Sequence, residues 1–109
     1  MSIQNYVAAV DRLDSPECDY SVAGTPPLPG VVLLEVRGSD DAVSYRYTTA
    51  GHGVGEVWYP GEEEARGAIA AEFAGCLGAW ELVPSGEADP HDYAVCVARG
   101  VRGAGRREA

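Results

Sequence analysis

Ile3, Tyr6, Val7, Val10 and Leu13 recur at the three- and four-residue spacing of one helical face, which predicts an amphipathic helix over 3–13 with Ser2 as its N-cap. Ser15-Pro16 ends that helix, and residues 14–30, rich in proline and glycine, read as a partly stiff loop. From Val31 the period changes to two. Val32, Leu34 and Val36 share one face of a strand over 31–37, while Val31, Leu33, Glu35 and Arg37 share the other. A second strand over 43–49 sets Val43, Tyr45 and Tyr47 on one face and Ser44, Arg46 and Thr48 on the other; a third runs over 54–59. The turn clusters Gly38-Ser39-Asp40-Asp41 and Ala50-Gly51-His52-Gly53 are too short for parallel crossovers, so the three strands form an antiparallel meander.

Pro60-Gly61 closes the meander, and Glu62, Glu63 and Glu64 follow where a first helical turn favours negative charge. Ala65, Ile69, Phe73 and Cys76, widened by Ala68, make the buried stripe of a helix that stops at 75–78. Residues 79–83 read as a short fourth strand or an extended segment. Asp89-Pro90-His91-Asp92 has the form of a helix start, with Asp89 as N-cap and Pro90 at the first helical position. Tyr93, Val97 and Val101 would be its core face. Tyr93, Val95 and Val97 also alternate as in a strand, but the start signal with Ala94 and Ala98 favours the helix. The expected fold class is α+β: a three- to four-stranded antiparallel sheet with helices packed mainly on one face. A single domain is expected over 1–103, with 104–109 a disordered Arg-rich tail.

The chain has 109 residues, 46% hydrophobic and 23% charged, a globular balance. Residues 1–98 carry sixteen acids against four arginines, a formal −12, and residues 99–109 a formal +3, for a total of −9. An acidic body repels phosphate, so neither nucleic acid nor an anionic membrane surface is an expected partner. No apolar run approaches the ~20 residues of a membrane span, and Met1–Asn5 lacks the basic start of a signal peptide. Cys18, Cys76 and Cys96 form no CxxC pair, so reduced thiols and a cytoplasmic location are expected.

Candidate chemistry is sparse. Gly51-His52-Gly53-Val54-Gly55 resembles a phosphate loop only superficially, because it joins two strands and lacks the lysine of such loops; it reads as a hairpin turn. His52 and His91, the two histidines, could serve a pocket between sheet and helices, either as a general base or as a ligand contact. No HxxxH or HxH spacing is present, so no metal is expected, and no cofactor is signalled. Side chains alternate along a strand, so one of Trp58 and Tyr59 must point away from any helix-covered face. An exposed aromatic bordered by Glu56, Glu62, Glu63 and Glu64 has the composition of a protein-binding patch.

The run Glu56-Val57-Trp58-Tyr59-Pro60-Gly61 with Glu62 to Ala65, followed by Glu72-Phe73, Trp80 and Pro84, resembles the C-terminal half of small bacterial α+β proteins, some of them toxin-immunity proteins of the Imm1-like kind. The resemblance covers about thirty residues and carries over no catalytic residue. Its positions are mainly structural and bear on the fold more than on function. Small size, the net charge of −9, candidate catalytic groups without partners and surplus aromatics point to a non-enzymatic acidic protein that inhibits or regulates a basic protein partner, as an immunity protein does. The partner-binding residues expected are Glu56, Trp58, Tyr59, Glu62, Glu63 and Glu64. The alternative is a small enzyme or small-molecule-binding protein using His52 or His91.

Overall fold

The computed structural model describes residues 3–10, 19–20, 29–74 and 76–100. Its elements, in chain order, are β1 (Gln4–Ala9), β2 (Asp19–Tyr20), β3 (Val31–Gly38), β4 (Asp41–Tyr47), β5 (Gly53–Tyr59), α1 (Glu62–Glu72), β6 (Phe73–Ala74), β7 (Glu81–Leu82) and α2 (Pro90–Arg99). The main sheet has five strands in the order β5-β4-β3-β1-β7, with every neighbouring pair antiparallel. A second sheet pairs β2 with β6. The protein is therefore α+β, and the expected meander is its β3-β4-β5 half.

The N-terminal segment departs from expectation. Residues 4–9 form a strand and not a helix; β1 lies between β3 and β7, with Tyr6 opposite Leu34 and Val7 opposite Leu33. Pairing on both sides satisfies its backbone, and the two faces bury adjacent apolar residues in different layers. Tyr6 packs with the α1 cluster and Val7 with the α2 cluster. The extra strand raises the count to five. Ser2, Leu13, the tail 104–109 and most of the 14–30 loop lie outside the described residues, although Asp19–Tyr20 within that loop is a strand.

Each helix covers its own face of the sheet. Ala65, Ile69 and Phe73 of the α1 segment pack on Val32, Leu34 and Ala42. Tyr93 and Ala94 of α2 pack on Val7, Val31 and Leu33. Because Val31 and Val32 alternate, these are opposite faces, so the helices do not share one side. Ala65, Ile69, Phe73 and Cys76 are all fully buried as expected, but the helix ends at Glu72, short of the expected 75–78, so Phe73 lies in β6 and Cys76 in the turn after it, and Ala68 is exposed. The helix over 90–99 is present. Asp89 accepts from the His91 and Asp92 amides at its start, and Gly100 ends it in the left-handed region at φ 74°. Arg99 then ties its last turn to the β4–β5 turn, donating to the Thr49 and Ala50 carbonyls at 3.2 and 2.9 Å.

Under α1 lies a buried charge that the strand pattern left on a polar face. Arg46 is 7% exposed and forks onto Glu72 in the last turn of α1, at 2.9 and 2.8 Å. Its remaining donors meet Ser44 Oγ at 3.0 Å and the Tyr59 hydroxyl at 3.2 Å. Burial works against this charge, but Glu72 and Tyr59 outweigh it and raise the Arg46 pKa above its ordinary value. Glu72→Ala strands the arginine and is expected to lower the unfolding free energy by about 3 kcal/mol in urea denaturation. Arg46→Met with Glu72→Leu is expected to lose less, because no unpaired charge stays buried. A double variant weaker than either single one would assign the stability to the pair itself.

Candidate functional site

The face of the sheet under α2 is only partly covered. Pairing aligns Leu33 with Tyr45, Tyr45 with Glu56 and Val43 with Trp58, so Glu35, Arg37, Tyr45, Tyr47, Glu56 and Trp58 all project to this side. The first turn of α2 sets His91 over the Tyr45–Tyr47 end. Its Nδ1 shares a hydrogen bond with the Tyr47 hydroxyl, and its ring meets Tyr45 edge-on at 4.6 Å. Beyond His91 the face is polar and aromatic.

One chain of contacts runs across that open half. The Tyr45 hydroxyl donates to Glu35 Oε1 at 3.1 Å. Arg37 Nε lies 3.2 Å from Glu35 Oε2, close enough for charge pairing but off a hydrogen-bond axis. The Arg37 guanidinium lies 4.6 Å over the Trp58 ring, and Trp58 Nε1 donates to Glu56 Oε2 at 3.1 Å. Trp58 is thereby held in one posture while 53% exposed.

The expected site residues fall into separate settings. Glu56 and Trp58 are brought together. Tyr59 points to the α1 face, where its hydroxyl meets Ser44 Oγ and Arg46, so Trp58 is the outward aromatic of the two. Glu62, Glu63 and Glu64 begin α1 on that same opposite side, bordering a shallow concavity with Gly38 and Ser39. Glu62 pairs with Arg66 at 2.7 Å, and Arg66 in turn lies over Tyr6 and Trp80. His52 is exposed on the β4–β5 turn, where its amide donates to Thr48 Oγ1 at 3.1 Å. Among the described residues no bond or ring contact joins His52 to His91. That turn takes the positive φ expected of its glycines at Gly51, 94°.

Glu35, Arg37, Tyr45 and Tyr47 were not among the sequence-derived site residues. Their shared faces were visible in the alternation; what brings His91 to Tyr45 and Tyr47 is the docking of α2, which no local signal encodes. Among the described residues no three His, Cys, Asp or Glu side chains gather as a metal ion would require. Cys76 is disulfide-bonded rather than a buried free thiol, whereas Cys96 on α2 is free. Among the described residues no helix is long and apolar enough to cross a membrane. No family model matches the chain, and no curated protein or solved structure matches it either.

Burial, reinforced by Glu35, raises the Tyr45 pKa above its ordinary value; burial, reinforced by Asp89 and Glu56, does the same for Tyr47. Both hydroxyls are neutral in folded and unfolded chains below about pH 10. Above it the unfolded chain loses these protons first, so stability present at neutral pH should fall until the folded hydroxyls also ionise. The joint Tyr45→Phe and Tyr47→Phe variant is expected to show a shallower decline in urea denaturation across that alkaline range.

Proposed function

We propose that this is a non-enzymatic acidic binding protein that inhibits or regulates a basic protein partner, in the manner of an immunity protein. The observation that carries the reading is Trp58, an exposed indole held by Arg37 over its ring and Glu56 beside it. Interface hot spots are rich in tryptophan, and a side chain already fixed in one posture loses little entropy on docking. The net charge of −9 favours a basic partner through electrostatic steering. The resemblance of residues 56–84 to small bacterial α+β proteins, some of them immunity proteins, bears on the fold and is compatible with this reading. The Cys76 disulfide removes the reduced-thiol support for a cytoplasmic location.

A second reading, a small enzyme or ligand-binding protein, draws on the His91 contacts with Tyr45 and Tyr47. A metabolite-induced thermal shift abolished by His91→Ala would favour it.

The test is affinity capture from the native host followed by binding kinetics with the captured protein. Trp58→Ala is expected to weaken binding by about 2 kcal/mol, roughly thirtyfold, through a faster off-rate. Joint replacement of Glu62, Glu63 and Glu64 by Gln is expected to slow association several-fold at low ionic strength and hardly at all in high salt. Unchanged affinity for Trp58→Ala, with the variant still folded, would rule this surface out.

A further inference from the structure

β5 is an edge strand of the main sheet, and beside Tyr45 and Tyr47 it is nearly bare. Arg46 pairs with Gly55 and Tyr47 with Gly53, which leaves Val54 as the extra residue of a bulge. The resulting concavity, about 330 Å³, is lined by Tyr45, Arg46, Tyr47, Gly53, Gly55 and Glu56. Register places Tyr45, Tyr47, Gly53 and Glu56 on the face shared with His91 and Trp58. A Cβ at Gly53 would lie 3.7 Å from Tyr47 Cε1, so any side chain there would enter the groove.

The groove has the chemistry of a cation receptor. Tyr45 and Tyr47 line it, Glu56 stands exposed at its rim, and Arg46, the one cation in the lining, is turned to the α1 face and neutralised by Glu72. Among the described residues no arginine or histidine lies within ion-pair distance of Glu56. The Glu35 carboxylate, by contrast, is already matched by Arg37. Burial is the main cause of the raised Tyr45 and Tyr47 pKa values, and the nearby carboxylates Glu35, Glu56 and Asp89 add to it.

We propose that this groove receives the guanidinium of an arginine presented by the basic partner, stacked against Tyr45 and Tyr47 and paired with Glu56. Arginine suits it better than lysine, because a planar guanidinium stacks on aromatic faces and can fork onto one carboxylate. The proposal rests on the protein-binding reading above and names the contact that reading leaves open.

The probe is a hexa-arginine peptide, with hexa-lysine as comparison, titrated into the isotope-labelled protein and followed by amide and aromatic resonances. Saturable shifts at Gly53, Gly55 and the Tyr47 ring are expected, with tighter binding of hexa-arginine. Gly53→Val fills the groove, and its backbone is not left-handed, so the variant is expected to fold and to bind about tenfold more weakly. Glu56→Gln, at an exposed position, is expected to weaken binding several-fold without loss of fold. Shifts confined to Glu62, Glu63 and Glu64, parental binding by Gly53→Val, or equal binding of the two peptides would each overturn the proposal. Because the peptide titration needs no natural partner, the two readings fail separately. A captured basic partner indifferent to the groove variants defeats the groove alone, and peptide binding with no protein partner in the host defeats the function alone.

Discussion

Four consecutive apolar residues, Val31 to Leu34, can sit in a strand only if both faces of that strand are covered. All four are fully buried, and the remaining architecture follows from that requirement. One face takes α1 through Ala65, Ile69 and Phe73; the other takes α2 through Tyr93 and Ala94. β3 must also be paired along both edges, since unpaired backbone between two apolar layers would be costly. β4 supplies one edge and the N-terminal segment the other. The position of β1 is thus imposed by β3 more than by its own composition.

That dependence explains which elements were readable. The meander was, because turn glycines and aspartates punctuate strands with clear alternation. α2 was, because Asp89 and Pro90 form a start signal whose geometry is local. β1 was not. Tyr6 and Val7 are adjacent and both apolar, which fits a helical face as well as it fits a strand buried on both sides. A segment with two covered faces has no single period, so spacing could not separate the two.

Arg46 shows the same limit for polar residues. On a strand read alone it belongs with Ser44 and Thr48 on a solvent face. Its partner Glu72 stands 26 positions away, in the last turn of a helix whose docking face is decided by Ile69 and Phe73. The Trp58–Tyr59 alternative was resolved by the same docking. Once α1 covers the side that holds Arg46, Tyr59 is drawn into the buried hydroxyl and guanidinium cluster, and Trp58 is left outside. The exposed aromatic was therefore legible as one of two residues, and its identity depended on a buried ion pair that local pattern does not disclose.

The two faces consequently divide their tasks. On the α1 side the Arg46–Glu72 pair is enclosed between helix and sheet and holds the one to the other. On the α2 side the helix is ten residues long and stops short of Glu35, Arg37 and Trp58, so the sheet must finish that surface with its own side chains. Arg37 does so by lying over Trp58 while its charge is matched by Glu35, which leaves Glu56 without such a match among the described residues. A screening length of about 8 Å at physiological ionic strength separates two scales of effect. The acidic body as a whole influences how quickly a basic molecule arrives. For the basic partner proposed above, only groups within a few ångströms would govern the docked state, and at this face those are an indole, two phenols and Glu56. Speed of encounter and lifetime of contact are therefore set by different residues, and a substitution that changes one need not change the other.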